Sequence, residues 1–162
     1  MTSLAITTSS RTSAYTPGAG RQPFGRGTEY LWNLDVVSVD DDEADSSLIV
    51  EALRRNPHVR AVTAFAAPSD ALFQLVEGLV KPDLILLDIH MPKVNGFTFM
   101  RALREAPWMR TTPVVLLTTS GHKEDVDRAR SNDILGYIVK PDSFAEMQQK
   151  INGVIRQMVV GE

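Results

Sequence analysis

The chain has no cysteine among its 162 residues. Disulfide scaffolds, thiol nucleophiles and thiolate metal sites are therefore excluded, and a reducing compartment is permitted. No apolar run approaches the roughly 18 residues of a membrane helix. Met1 to Ser10 lack both a basic head and a sustained apolar stretch, so they do not read as a secretory signal. An excess of positive charge is also missing: 17 Lys and Arg face 20 Asp and Glu, for a net charge of -3. That balance argues against a nucleic-acid coat. The expectation is a soluble cytoplasmic protein with neither a nucleic-acid nor a membrane partner. What is present is ordinary globular composition, 43% hydrophobic and 23% charged, in a chain long enough for one domain and short for two.

Thr2 to Thr28 is mostly Ser, Thr, Gly, Pro and Arg, with scattered Leu4, Ile6, Tyr15 and Phe24. Such a segment cannot bury enough apolar surface to fold alone. It carries Arg11, Arg21 and Arg26 with no acid before Glu29, so it is locally basic. Residues 1–33 are expected to form a flexible or partner-bound arm, and residues 34–160 the globular domain.

From Leu34 onward short apolar runs alternate with helical patterns five times. Strands are expected at Leu34 to Val39, Arg60 to Phe65, Asp83 to Leu87, Val114 to Leu117 and Tyr137 to Val139. Leu84 to Leu87 and Val114 to Leu117 are apolar without alternation, as strands buried on both faces of a parallel sheet must be. Helices are expected at Asp45 to Arg54, Ser69 to Glu77, Phe97 to Glu105, Lys123 to Ser131 and Ser143 to Val159. In the last, Phe144, Met147, Ile151, Val154, Ile155 and Met158 fall on one stripe, which is packing. The pattern is α/β, a (βα)5 unit with right-handed crossovers.

In an open parallel sheet the ligand crevice lies beyond the carboxyl ends of the strands. After the first strand comes Asp40-Asp41-Asp42-Glu43; the third ends at Asp88, followed by Ile89-His90-Met91-Pro92; the fourth is followed by Thr118-Thr119-Ser120, and the fifth by Lys140-Pro141. Asp40 to Glu43 alone could be a helix cap with acids in the first turn. Asp88 is harder to explain structurally, because an acid closing an apolar strand is seldom buried unless paired. Carboxylates crowded at one sheet edge repel, so either a cation joins them or at least one pKa rises. Oxygen donors without Cys or clustered His point to Mg²⁺ over zinc or copper.

These residues resemble the receiver domain of bacterial two-component response regulators. The resemblance covers Leu34 to about Met158 and is carried by Val39-Asp40-Asp41, Leu86 to Pro92 with Gly96, Leu117-Thr118, and Gly136 to Pro141. It implies a flavodoxin-like three-layer sandwich with sheet order 2-1-3-4-5. It also implies that Asp88 is the phosphoacceptor, and that Asp40, Asp41, Asp88 and the main-chain carbonyl of His90 hold Mg²⁺. Thr118, Thr119 and Lys140 would surround the phosphoryl group, and Thr118 with Tyr137 would form the switch. The implied partner is a sensor histidine kinase or a histidine phosphotransfer protein. The Lys140–Pro141 bond is expected to be cis on the same ground.

Asn95 stands where the family very often has Asp, and Ser131 to Leu135 replaces a commoner turn. His90 and Ser120 occupy variable positions two residues after Asp88 and Thr118. The 21 residues after Pro141 fit one helix, so a stand-alone regulator acting by protein contact is expected. Pro107-Trp108-Met109-Arg110 and Leu117 to Ser120 resemble regulators that accompany phytochrome kinases. Helix four, strand five and helix five are the expected output face and homodimer contact, with Val159 and Val160 covered by a partner. Two alternatives stay open: a phosphorylation-independent pseudo-receiver, and a Mg²⁺-dependent phosphohydrolase of the haloacid dehalogenase type. The latter usually has a second acid where His90 stands.

Overall fold

A computed structural model describes residues 32–119, 123–131 and 134–160. The arm over 1–31 and Ser120 lie outside the described residues. The elements are β1 (Leu34–Val39), α1 (Glu43–Arg54), β2 (Val59–Phe65), α2 (Pro68–Val76), β3 (Leu84–Asp88) and α3 (Gly96–Glu105). A 3-10 turn (Pro107–Met109) follows, then β4 (Val114–Thr118), α4 (Lys123–Ser131), β5 (Gly136–Val139) and α5 (Phe144–Val160). The strands form one parallel sheet in the order β2-β1-β3-β4-β5.

Strand side chains alternate between faces, and the core divides accordingly. Leu34, Val36, Leu84, Leu86, Val115 and Leu117 pack with Ile49, Ala52 and Leu53 of α1 and with Met147, Ile151, Val154, Ile155 and Met158 of α5. Val37, Val39, Ile85, Leu87, Val114 and Leu116 pack on the other face with α2, α3 and Ala129 of α4. The four side chains Leu84 to Leu87 are wholly buried. Each contributes about 1.5–3 kcal/mol relative to exposure, which explains their unbroken apolar pattern.

The starts of α1, α3 and α5 are set by side-chain caps. Asp42 accepts a hydrogen bond from the Asp45 amide at 2.9 Å, so α1 begins two residues earlier than its apolar pattern implies. Asn95 accepts from the Phe97 amide at 2.8 Å, and Ser143 Oγ from the Glu146 amide at 3.2 Å. α2 starts at Pro68, whose missing N–H costs nothing in a first turn. Just past α2, Gly78 takes a left-handed φ of 71°, open to glycine without strain. Beside it the Trp108 indole N–H donates to the Leu75 carbonyl at 3.0 Å.

The end of α5 differs from expectation. Val159 packs against its own core, next to the α1 and α5 layer, and Val160 alone is left exposed. The apolar stripe simply continues for one more residue. No helix among the described residues is long and apolar enough to cross a membrane.

Candidate functional site

β1, β3, β4 and β5 run parallel, so Asp40, Asp88, Thr118 and Lys140 arrive together at one sheet edge. Lys140 is the centre of the cluster. Its ammonium lies 2.7 Å from Asp40 Oδ2, 3.0 Å from Asp45 Oδ2 and 3.3 Å from Asp88 Oδ2, and its side chain is 4% exposed. The contacts to Asp45 and Asp88 are aligned hydrogen bonds. The contact to Asp40 is an ion pair without that alignment, which leaves the buried Oδ2 of Asp40 without a hydrogen-bond donor. The other Asp40 oxygen accepts from the Asp42 amide at 3.0 Å, and Asp88 Oδ1 accepts from the His90 amide at 3.1 Å.

Burial pushes the Asp88 carboxyl up to about 6; the charge of Asp40 adds to this, and Lys140 and the His90 amide oppose it. For Lys140, burial would lower the ammonium, but its close contacts to Asp40 and Asp45 and the charges of Asp40 and Asp88 outweigh burial and raise it. Lys140 is therefore a fixed cation. Asp40, Asp45 and Asp88 contact that one ammonium, and an Asp41 oxygen lies beside those of Asp40 and Asp88, so the pocket keeps a negative excess.

One oxygen from each of Asp40, Asp41 and Asp88 lies within 4.8 Å of the others. Hard oxygen donors, surplus negative charge and a buried carboxylate oxygen lacking a donor fit Mg²⁺ or Mn²⁺. Behind the pocket, Gly96 donates its amide to Ile89 O at 2.9 Å. A Cβ there would stand 2.7 Å from Asp88 O and from Ile89 Cα, so only glycine lets α3 start this close to Asp88.

The Lys140–Pro141 bond is trans, since no peptide bond is cis among the described residues. This corrects the expectation of a cis bond. Lys140 is delivered by the strand itself: its amide donates to Thr118 O at 2.7 Å, and the lysine side chain spans the remaining distance. Asp45 was not anticipated as part of the site. Its spacing of four residues from Asp41, in the first turn of α1, is the signal that could have found it.

The family model of the response regulator receiver domain matches residues 36–152. The chain belongs to that family. It is 31% identical over 123 residues, 74% of this chain and 79% of the relative, to the "Probable methanogenesis regulatory protein FilR2" of Methanothrix harundinacea (strain 6Ac). Several other curated relatives are longer, and this chain spans less than a third of them. Among solved structures, the phosphorylated cyanobacterial phytochrome response regulator RcpA superposes with a TM-score of 0.70 at 25% identity, covering 80% of this chain and 96% of that one. The Mn²⁺-bound form of response regulator Rcp1 gives 0.66 at 25% identity, covering 76% and 92%.

In this receiver domain Thr118 is buried at the end of β4 and Thr119 is exposed beyond it. Tyr137 pairs with Leu116 and is half-buried against the same layer as α3 and α4, so it shares a sheet face with Thr118. α4 buries Ala129 and leaves Val126 half-buried. Two polar contacts tie it to the Asp88 loop and α3: Asp125 Oδ2 lies 3.0 Å from His90 Nε2, and the Arg128 guanidinium sits 4.2 Å from the Phe97 ring centre. The ring of His90 points to α4, and its amide to Asp88.

Proposed function

We propose that Asp88 accepts a phosphoryl group from a histidine kinase or a histidine phosphotransfer protein, with Mg²⁺ present, and that the receiver domain then signals by protein contact. The observation that carries this reading is the Lys140 ammonium held between Asp40 and Asp88 at the carboxyl edge of the sheet. In the transfer, an Asp88 oxygen forms a bond to phosphorus as the phosphorus–nitrogen bond of the donor histidine breaks. Asp40, Asp41, Asp88 and the His90 carbonyl would hold Mg²⁺, which would supply charge neutralisation between the carboxylate and the incoming phosphate. Lys140 neutralises a second phosphate oxygen, and the Thr118 hydroxyl donates to a third. Exposed Thr119 leaves the approach open.

The response follows from the elements that share Thr118. Movement of Thr118 toward the phosphate vacates space on the face it shares with Tyr137, and Tyr137 turns inward. α4, which buries little apolar surface, shifts with it. The α4, β5 and α5 face then meets an effector or a second copy of the chain. The likeness to a cyanobacterial phytochrome response regulator supports a kinase of the phytochrome type, and the likeness to a Mn²⁺-bound regulator supports the metal.

Incubation with Mg²⁺ and acetyl phosphate followed by intact-mass measurement tests the assignment. Wild type should gain one phosphoryl group, and Asp88→Asn should gain none. Phosphorylation of Asp88→Asn at the wild-type level would refute it, and a wild type that gains nothing would favour the pseudo-receiver.

A further inference from the structure

Three carboxylates hold Lys140, and they differ in what they can do next. Asp40 and Asp88 have side chains 0% and 5% exposed, whereas Asp45 is 32% exposed. Asp40 and Asp88 also belong, with Asp41, to the group of oxygens that converge for a cation, and Asp45 does not. Its position is fixed locally, because its amide is bonded to Asp42 Oδ1 at 2.9 Å in the first turn of α1. Its hydrogen bond to Lys140, at 3.0 Å, is shorter than that of Asp88, at 3.3 Å.

A divalent cation bound by Asp40 and Asp88 competes with Lys140 for those carboxylates. The ammonium is buried and stays charged, so it needs another anion close by. We propose that Asp45 parks Lys140: it keeps the ammonium when Asp40 and Asp88 turn to the metal, and yields it when a phosphoryl group arrives on Asp88. This rests on the phosphoacceptor reading above. Asp45 is suited to both halves of the exchange. It is close enough to hold the ammonium, and its access to water makes release inexpensive compared with a buried carboxylate. Asp45 is a positioning residue, acting on the phosphoryl group only through Lys140.

The two halves make predictions of opposite sign. Without the Asp45 charge, Lys140 falls back on Asp40 and Asp88 and competes harder with Mg²⁺. Once Mg²⁺ is saturating, the same loss removes a competitor for the ammonium and a negative charge near the phosphoryl group. Asp45→Asn should therefore weaken Mg²⁺ binding and tighten binding of beryllofluoride, a phosphoryl mimic, each by about twofold to tenfold, the range expected of a partly exposed charged hydrogen bond. Asp45→Ala should shift both in the same senses. Glu43→Gln removes an equal charge from an exposed position of the same helical turn and should change neither by more than about twofold.

Isothermal titration with Mg²⁺, and fluorine NMR titration with beryllofluoride at saturating Mg²⁺, read the two affinities on the whole protein. Opposite shifts in both Asp45 variants are the expected result. Equal shifts in Glu43→Gln would mean a general field effect, and shifts of the same sign in the Asp45 variants would mean that Asp45 does not exchange the ammonium; either result would overturn the inference. Unchanged affinities would overturn it as well. Failure of wild type to take up beryllofluoride would overturn the phosphoacceptor reading itself, which the Asp45 comparison alone would not.

Discussion

Lys140→Met removes the cation around which the pocket is built and keeps an apolar stem of similar length. The wild-type ammonium has contacts of 2.7, 3.0 and 3.3 Å to three carboxylates, two of them almost fully buried. Breaking a buried pair from one side costs about 3–5 kcal/mol. The cost should depend on pH. Burial already holds Asp88 near 6 with Lys140 opposing; in the variant that opposition is gone and the carboxyl rises further. An unfolded Asp titrates near 3.9, so from about pH 4 to about 6 both folded proteins hold a proton that their unfolded chains have lost, and both lose stability in parallel. Above about 6 the wild-type Asp88 is ionised and its stability levels off. The variant stays protonated and keeps losing about 1.4 kcal/mol per pH unit until its own raised pKa is passed. Urea unfolding followed by tryptophan fluorescence should show a gap that is wider at pH 8 than at pH 6, and that Mg²⁺ narrows by binding the folded state. A gap of the same size at both pH values, or one below about 1 kcal/mol at pH 8, would refute Lys140 as the charge that balances Asp88.

Gly96→Ala forces a Cβ to within 2.7 Å of main-chain atoms of Asp88 and Ile89, so it should cost about 1–3 kcal/mol and slow phosphorylation by acetyl phosphate; wild-type stability in urea would contradict the close approach. Because Asp88 titrates near 6, Mg²⁺ affinity measured by calorimetry should fall as pH drops below that value, approaching about tenfold per unit, and should level off above it. Val160→Asp should leave stability within about 0.5 kcal/mol, since Val160 is 55% exposed, whereas Val159→Asp should destabilise by about 1 kcal/mol or more. Sedimentation of Val160→Asp against wild type, with and without beryllofluoride, checks the proposed contact between copies; an exclusively monomeric wild type under both conditions would remove it.

The sheet was legible because its central strands are buried on both sides, and only unbroken apolar runs such as Leu84 to Leu87 satisfy that. The stripe on α5 was legible for the same reason, as Met147, Ile151, Val154, Ile155 and Met158 all lie in the core. Asp40 to Asp42 carried two meanings at once. Asp42 caps the helix while oxygens of Asp40 and Asp41 converge with Asp88, and composition alone does not divide a run of acids between these places. In the sequence Asp45 marks a helix beginning, a role that accounts for it locally, whereas its bond to Lys140 spans 95 residues of sequence. Lys93, with a left-handed φ of 70° in the loop before α3, carries no signal in its residue type. The cis bond expected at Lys140–Pro141 came from resemblance, and the trans chain reaches the same carboxylates.

The chain's two tryptophans, Trp32 and Trp108, both precede strands, Trp32 ahead of β1 and Trp108 ahead of β4. All five strands run the same way, so both indoles sit toward the entry edge of the sheet, with about a strand length, roughly 17–20 Å, between them and the acidic pocket. Trp32 packs against the α1 and α5 layer, and Trp108 is tied to the end of α2. Their emission should therefore follow global unfolding and stay almost silent when an ion or a phosphate binds beside Asp88. For spectroscopy this is a clean separation: native fluorescence reports whether the domain is folded, and an indole engineered near the acidic pocket would report whether it is occupied.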